Sequence, residues 1–393
     1  MASVIGSDGV RTAAMSAVAS VEIHSDFRAV EHIWRAFDSS PQCGTPYQRF
    51  GLVTAWQDNV GVKLGAKPCA VVVCDSEQRP LALLPLVTSS RGPFRIAGFP
   101  GGKHSNFNMA FWRREFAATA TREDVEAILS LIAKRDPSLD MLALNQQPLE
   151  WNGTPNPFAR LPHQPSVNEC PLLAIDAGAP AGSYTSTSFR RKLNGKERKL
   201  QAMPGYRYRI ARSTADVTRL LDAFFAIKPL RMAEQKIRNV FAEPGTEQFI
   251  RHACMQGIEN GTAAIELHGL ECDAEVIAVF AGVGDSHRYS TMFNTYTMSE
   301  AARNSPGLVL IRNMIDHHVE LGCTVFDFGV GTDEYKLQFC KDARQPLFDS
   351  FIGLNAKGQL LASLFSAGTS LKRSIKQSPK ATQLFQSLRH RFG

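Results

Sequence analysis

The chain has 393 residues, a formal net charge of +7, and 44% hydrophobic against 21% charged residues. This length favours two domains, because a single hydrophobic core seldom grows beyond about 250–300 residues. The composition is ordinary for a soluble globular protein, and no apolar run approaches the ~20 residues that a membrane-spanning helix requires. The eight cysteines contain no Cys-x-x-Cys pair, so we expect buried thiols of a cytoplasmic protein, with neither disulfides nor a metal site.

The positive charge is concentrated in two segments. Residues 356–393 contain seven Lys and Arg and no acid, which accounts for the whole net charge of the chain. Residues 186–212 contain nine Lys and Arg against the single acid Glu197. At the other end, residues 1–20 are small and polar and lack the basic start and apolar core of a signal peptide, so we expect a disordered leader.

Residues 21–165 predict a first domain of alternating strands and helices. The predicted elements, in chain order, are a strand over 21–23, helices over 26–37 and 46–59, a hairpin over 69–74 and 81–88, a strand over 94–99, a helix over 122–134 and a strand over 139–144. Residues 148–165 are rich in Pro, Asn and Gly, which is typical of a linker or crossover.

Residues 166–355 repeat this order and form a second predicted domain. Its elements are a strand over 206–211, helices over 215–235 and 244–259, a meander over 262–270, 275–284 and 287–293, a helix from Ser305, a strand over 324–328 and a last strand over 344–354. We therefore predict a duplicated α/β fold whose halves share a cleft. A basic tail over 356–393 would form at most two short amphipathic helices, since Gly368 and Pro379 interrupt its apolar pattern.

The stretch over 305–336 combines a helix start with a polar strand end. Ser305-Pro306-Gly307 predicts a helix N-terminus, where Ser is a preferred cap and Pro fits the first turn. Free backbone N–H groups at such an end can hold an anion such as pyrophosphate. The following strand stops at Gly329-Val330-Gly331, and acid, phenol and amine side chains come next. The stretch therefore indicates half of a site.

Several runs of the sequence resemble known acyltransferases. The element order is similar to the GNAT acyltransferase fold in tandem, which implies an α/β (α+β) architecture of two mixed sheets flanked by helices. More specifically, the chain resembles the acetyltransferase family named for the cellulose-biosynthesis protein CelD, itself similar to FemAB-type transferases. The runs that carry this resemblance are LALLPL (81–86), FPGGKHSNFN (99–108), SFRRKLNGKERKL (188–200), SPGLVLIRNMI (305–315) and FDFGVGTDEYKLQF (326–339).

The resemblance implies an acetyl-CoA or other acyl-CoA site between two parallel strands that splay apart, over 287–293 and 324–328. The pyrophosphate would lie on the helix that starts at Ser305, and a backbone N–H near Met292 or Phe293 would polarise the thioester carbonyl. The second half lacks the Gln/Arg-x-x-Gly-x-Gly/Ala phosphate loop of ordinary GNAT enzymes. The residues expected to hold acyl-CoA are Met292, Phe293, Asn294, Arg303, Asn304, Ser305, Gly307 and Leu308.

Direct attack by an acceptor amine or hydroxyl requires a base, for which Asp327 and Glu334 are the candidates. Tyr335 is the candidate acid for the leaving thiolate, and Lys336 is the candidate site for an anionic acceptor. Structural alternatives stay open for each: Asp327 can equally be the partner of an arginine, and Glu334 and Lys336 would diverge on a helix.

Three further residues are candidates for substrate binding. Arg190 and Arg191 lie in the basic run, where a solvated helix face is the alternative. His104 lies in a Gly-Gly-Lys-His turn, and such turns usually serve chain reversal. We expect the basic tail to dock on the body or to touch an anionic membrane surface, and we expect no nucleic-acid partner.

The sequence thus predicts a cytoplasmic acyl-CoA-dependent N- or O-acyltransferase that acts on a small acceptor such as a sugar, a polysaccharide precursor or an amine. The second half would hold the catalytic cleft. The first half lacks an equivalent of the run Asp333-Glu334-Tyr335-Lys336 and would be structural or line the acceptor pocket. Two alternatives stay open: a FemAB-like transferase with an aminoacyl-tRNA donor, and a catalytically degenerate binding module for polysaccharide synthesis.

Overall fold

A computed structural model of the chain describes residues 16–38, 42–176, 178, 180, 182–331, 333–340 and 343–377. Residues 1–15 of the expected leader and 378–393 of the expected tail lie outside the described residues. Ser16 and Ala17, from the end of the expected leader, both bond to the carboxylate of Asp124.

The described α-helices follow the apolar periodicity of the sequence. They are α1 (Glu31–Phe37), α2 (Phe50–Trp56), α3 (Arg114–Thr119), α4 (Arg122–Arg135), α5 (Thr187–Gln201), α6 (Thr214–Glu234), α7 (Thr246–Met255), α8 (Pro306–Glu320), α9 (Glu334–Cys340) and α10 (Ala356–Gln377).

The described strands form two large sheets and a small two-stranded one. They are β1 (Ser20–His24), β2 (Lys67–Cys74), β3 (Pro80–Arg91), β4 (Phe94–Gly98), β5 (Phe111–Trp112), β6 (Met141–Pro148), β7 (Glu150–Trp151), β8 (Thr154–Pro155), β9 (Gln164–Pro165), β10 (Cys170–Ala174), β11 (Arg207–Ile210), β12 (Glu266–Glu271), β13 (Val276–Gly284), β14 (Arg288–Tyr296), β15 (Val325–Asp327), β16 (Arg344–Gln345) and β17 (Leu347–Gly353).

Both large sheets are mixed and share one plan. The first has the order β1-β2-β3-β4-β6-β17-β9, with β5 beside β3, and the second has the order β11-β12-β13-β14-β15-β10-β16. Each contains one parallel pair among antiparallel neighbours, β4 with β6 in the first sheet and β14 with β15 in the second. The duplicated architecture of two mixed sheets flanked by helices, expected from the sequence, is confirmed.

The two halves exchange their final strands. Residues 347–353, expected as the end of the second half, instead form β17 and pair antiparallel with β6 in the first sheet. The corresponding place in the second sheet is filled by β10, which pairs antiparallel with β15 and was not predicted as a strand. The reason is that sheet membership depends on long-range pairing, which the local pattern of either segment does not specify.

The hydrophobic core is continuous across both halves. One cluster runs from Val21 of the first sheet to Phe293 of the second. All eight cysteines lie among the described residues, are buried and form no disulfide. The segment over 148–165 is more ordered than a linker, since Trp151 and Phe158 are buried within it.

The described part of the basic tail forms one continuous helix. Gly368 was expected to interrupt it, but it lies inside α10 with open space around it. Leu361 and Ala362 are buried against Ile96 and Met141 of the first sheet, so this part docks on the body. Among the described residues, no helix is both long and apolar enough to cross a bilayer.

Candidate functional site

Strands β14 and β15 are paired only over a short distance. The parallel register runs from Arg288 opposite Val325 to Ser290 opposite Asp327. Beyond Ser290 the strand continues to Tyr296 with β13 on one edge, and β15 no longer pairs with its other edge, which we call the free part of β14. On the edge toward β13, β14 shifts register, so that Met292 has no residue opposite it. A bulge of this kind re-aims the local backbone, and it lies two residues beyond Ser290, where the pairing of β14 with β15 ends.

The start of α8 is open. Ser305 has a left-handed backbone (φ 49°), and its side chain makes no capping hydrogen bond. Its hydroxyl instead accepts a hydrogen bond from the ammonium of Lys196 on α5. Pro306 carries no N–H, and the N–H groups of Leu308 and Val309 donate to the Ser305 carbonyl at 3.0 and 3.2 Å. The Gly307 N–H is therefore the donor that this uncapped helix end offers to an anion.

A cavity of about 230 Å³ lies between the free part of β14 and the start of α8. It brings together four residues expected to hold acyl-CoA, namely Asn294, Ser305, Gly307 and Leu308, with the candidate acid Tyr335. Gly307 lies against the ring of Tyr296, and a Cβ atom there would be 3.3 Å from that ring. The other lining residues are Phe280, Tyr296, Ala302 and Ile311.

The remaining residues expected to hold acyl-CoA are absent from the lining of this cavity. Phe293 belongs to the shared core, where its ring lies 4.7 Å from that of Phe224, and the partly buried Met292 packs against that core. Arg303 is exposed and pairs with Glu300 at 3.2 Å, and Asn304 is half-buried.

Asp327, at the end of β15, is fully buried and does not line the cavity. Its carboxylate accepts hydrogen bonds from the Ser290 hydroxyl and, at 3.1 Å, from the Gly329 N–H, and it lies 4.0 Å from the Arg288 guanidinium. Burial raises the pKa of Asp327 to about 6, although Arg288 and the hydrogen bonds oppose the rise. This is the environment expected for the structural partner of an arginine, and the catalytic role of Asp327 stays a prediction.

Lys336 points inward, whereas Glu334 is exposed at the start of α9. The Lys336 ammonium lies 3.4 Å from the Gly329 carbonyl, 3.2 Å from the Val330 carbonyl and 3.2 Å from the Asp333 carboxylate. It therefore ties α9 to the loop that follows β15. The divergence of these two side chains follows the helical spacing expected from the sequence.

Tyr335 is the one candidate catalytic side chain that lines the cavity. Burial, together with the charge of Asp333, raises the pKa of Tyr335, and the Asn294 side chain lies within hydrogen-bonding reach of its hydroxyl. A raised pKa keeps the phenol protonated at neutral pH but also makes it a weaker acid, so the role of Tyr335 as the proton donor stays a prediction.

The three candidate substrate-binding residues do not converge on the cavity. Arg190 is half-buried and donates to the Gly182 carbonyl at 2.9 Å, and Arg191 is exposed. The His104 ring lies 5.8 Å from Phe249 of α7, where burial lowers the pKa of the histidine. His104 therefore belongs to the contact between the two halves.

Two lysines near the cavity were missed by sequence reasoning. Lys196, at the start of α8, belongs to the basic run that was singled out, but that run offered six cations and no means of choosing among them. Lys228 of α6 donates to the Asn294 carbonyl at 2.8 Å, and burial beside Arg231 lowers its pKa to about 8. Nothing in the sequence pattern of α6 distinguishes this lysine.

The equivalent helix of the first half, α4, is sealed at its start. Thr121 and Asp124 form a reciprocal capping box there, and the Asp124 carboxylate also binds Ser16 and Ala17. An internal carboxylate thus occupies the place that an external anion would take. Of the two related helix ends, only that of α8 is open.

Comparisons with known proteins agree with this architecture. Residues 187–337 match the family model described as an acetyltransferase (GNAT) domain. The chain is similar to the crystal structure of FemX, with a TM-score of 0.57 and 10% identity over 88% of this chain and 100% of that one. It is also similar to a conserved protein of unknown function from Bacteroides thetaiotaomicron VPI-5482, with a TM-score of 0.52 and 12% identity over 85% of this chain and 100% of that one. No curated protein matches the sequence.

These likenesses concern the fold. The match over 187–337 includes the whole of the α8 start and the β14–β15 pair, and the FemX likeness extends over both sheets. Together with the duplicated strand order, they agree with the tandem GNAT-like fold expected from the sequence.

Proposed function

We propose that this protein is an acyl-CoA-dependent N- or O-acyltransferase of the CelD type, with its catalytic cleft in the second half. The observation that carries the proposal is the open start of α8 facing the free part of β14 across the cavity. A helix start with free N–H groups binds phosphate, and a strand edge without a partner can pair with an extended amide chain such as pantetheine.

In this proposal the pyrophosphate of acyl-CoA lies beside Ser305, Gly307 and Leu308, with Lys196 as a second source of positive charge. The acyl thioester lies beside Met292, where the bulged backbone supplies an N–H to the carbonyl oxygen as negative charge develops. Tyr335 donates a proton to the departing thiolate. We keep Asp327 and Glu334 as the candidate bases and Lys336, Arg190, Arg191 and His104 as candidate acceptor contacts.

The acceptor in this proposal is a sugar, a polysaccharide precursor or an amine, and the enzyme works in the cytoplasm. The first half serves as a scaffold, since its related helix end is sealed by Asp124. We also keep the proposal that the basic tail contacts an anionic membrane surface, because Leu360, Leu364 and Leu371 of α10 are exposed.

Calorimetric titration with acetyl-CoA tests the proposal. We expect one binding event in the wild-type protein and its loss in Gly307→Val, because the added side chain would meet the Tyr296 ring and fill the cavity. Gly195→Ala is the matched control, since Gly195 of α5 has open space around it and this variant should bind like the wild type. Absence of binding by the wild type to acetyl-CoA and to longer acyl-CoA would overturn the proposal.

A second candidate function is transfer from an aminoacyl-tRNA. It is favoured by the likeness to FemX, which reaches TM-score 0.57, and by the exposed cations of α5. Binding to charged tRNA without binding to acyl-CoA would select this candidate. Binding to neither donor would favour a degenerate module for polysaccharide synthesis.

A further inference from the structure

A cluster of two histidines and one glutamate lies at the far end of α8. The ligand atoms of Glu266, His268 and His318 all lie within 4.8 Å of one another. Glu266 and His268 are two residues apart on β12 and therefore project from the same face of the strand, while His318 comes from the last turn of α8. His268 and His318 are buried, and Glu266 keeps 29% of its side chain exposed.

One distance within the cluster already matches that between two ligands of a metal ion. The His318 Nε2 atom is 3.4 Å from the Glu266 Oε1 atom, and ligand atoms around tetrahedral zinc lie about 3.4 Å apart. The His268 Nε2 atom lies closer to that oxygen, at 2.6 Å. Because Glu266 is the partly exposed member, rotation of its carboxylate can lengthen this short contact. Binding of one ion also requires the two imidazole nitrogens, which lie within 4.8 Å of each other, to be about 3.4 Å apart.

One buried ligand atom lacks a hydrogen-bond partner. Among the described residues, nothing accepts from or donates to the His318 Nε2 atom with hydrogen-bond geometry, although His318 is only 4% exposed. Its 3.4 Å contact with the Glu266 carboxylate does not meet hydrogen-bond geometry, and a buried polar atom left in this way calls for an explanation such as a bound ion. The ring of His318 is held in place by stacking on Tyr289, with centroids 4.0 Å apart.

The surroundings of His268 match those of histidines that bind metals. Its second nitrogen, Nδ1, lies 2.7 Å from the Tyr208 hydroxyl. That hydroxyl can donate or accept, so it can support the tautomer that leaves Nε2 free for a metal. A metal-bound histidine usually makes such a contact through its other ring nitrogen.

The cluster also has an access route. A cavity of about 270 Å³ is lined by Glu266, Tyr289, His318 and Cys323, among others, and leads from solvent to the cluster. It leaves space for a water molecule as the fourth ligand. The C-terminal end of a helix also favours a cation, which is where His318 lies.

We propose that Glu266, His268 and His318 form a binding site for one divalent transition-metal ion, with Zn²⁺ as the best match. Two imidazoles and a carboxylate suit Zn²⁺ better than Mg²⁺ or Ca²⁺, which prefer oxygen ligands alone. The site is separate from the proposed acyl-CoA cavity, since 15 residues of α8 place the two helix ends about 20 Å apart. The metal would fasten the end of α8 to β12 and so hold in place the helix whose start faces that cavity.

Untagged full-length protein, freed of metal by a chelator, tests the proposal by calorimetric titration with ZnCl₂. We expect one Zn²⁺ per chain in the wild type, with a rise in Tm on binding. His318→Gln and Glu266→Gln should each weaken binding by about tenfold or more. His317→Gln is the matched control, because His317 is adjacent in sequence but is not part of the cluster, and this variant should bind like the wild type.

Substitution with Co²⁺ identifies the ligands in the wild-type protein without depending on any variant. Nitrogen and oxygen ligands should give weak visible bands, without the intense near-ultraviolet bands of thiolate ligands. The proposal fails if the wild type takes up no Zn²⁺ or if thiolate bands appear. It also fails if His318→Gln and Glu266→Gln, folded with the wild-type Tm in their metal-free forms, still bind Zn²⁺ as tightly as the wild type.

Discussion

Replacing Asp327 by Asn tests how the buried carboxylate at the end of β15 makes the stability of the protein depend on pH. The side chain is fully buried, and burial raises its pKa from 3.8 to about 6. In the unfolded chain an aspartate titrates near its ordinary value of about 3.9. The folded protein therefore holds the proton of Asp327 more tightly than the unfolded chain does.

The sign and size of the effect follow from this difference. The contribution of Asp327 to stability is fully present below about pH 4 and is lost as the pH rises through about 6. The whole loss amounts to about 3 kcal/mol, of which about 1.4 kcal/mol falls between pH 5 and pH 7.5. Asn does not titrate, so the free energy of unfolding of the wild type minus that of Asp327→Asn should fall by about 1.4 kcal/mol over this interval.

Urea denaturation of both proteins at pH 5 and pH 7.5 measures this difference. Asp222→Asn is the control, because the Asp222 side chain is 61% exposed, and its difference from the wild type should change by less than about 0.5 kcal/mol. A difference for Asp327→Asn that stays constant, or grows with pH, would refute the reasoning from burial.

The same variant distinguishes the two roles left open for Asp327. If Asp327 is the catalytic base, the variant should keep a Tm close to the wild-type value at pH 7.5 and lose turnover by about 100-fold or more. If the residue is only the partner of Arg288, turnover should persist in proportion to the folded protein. Steady-state kinetics beside a thermal melt separates these outcomes.

The remaining predictions concern the cavity, the loop after β15 and the docked tail. Tyr335→Phe should lower kcat by about 100-fold with little change in KM for acyl-CoA, and an unchanged kcat would exclude Tyr335 as the acid. Lys336→Met should lower the free energy of unfolding by about 1–3 kcal/mol in urea, since two carbonyls lose their partner; an unchanged value would contradict this role. Leu361→Ala should lower the free energy of unfolding, measured in urea, by about 2–3 kcal/mol. Leu364 is 61% exposed, so Leu364→Ala should change that free energy by less than about 0.5 kcal/mol. Equal effects of the two leucine variants would show that α10 does not dock as described.

Local sequence determined the individual elements of this protein. The Ser-Pro-Gly start of α8, the Thr121 cap of α4 and the hairpin of β2 with β3 each depend on residues that are close in the chain. Hydrogen bonding and side-chain spacing within such segments decide whether they form a helix or a strand. The repeated order of these elements was enough to predict the duplicated fold. Four of the eight residues expected to hold acyl-CoA do lie together around one cavity.

Tertiary structure alone decided which sheet each final strand joins and which way the polar side chains point. β10 and β17 are both short and partly apolar, so nothing local distinguishes a partner in one sheet from a partner in the other. Lys336 turns inward and contacts the carbonyls of Gly329 and Val330, and Lys196 reaches Ser305 because α5 packs against the start of α8. These choices depend on contacts between residues far apart in sequence, where the free energy of pairing and burial is set by the assembled fold.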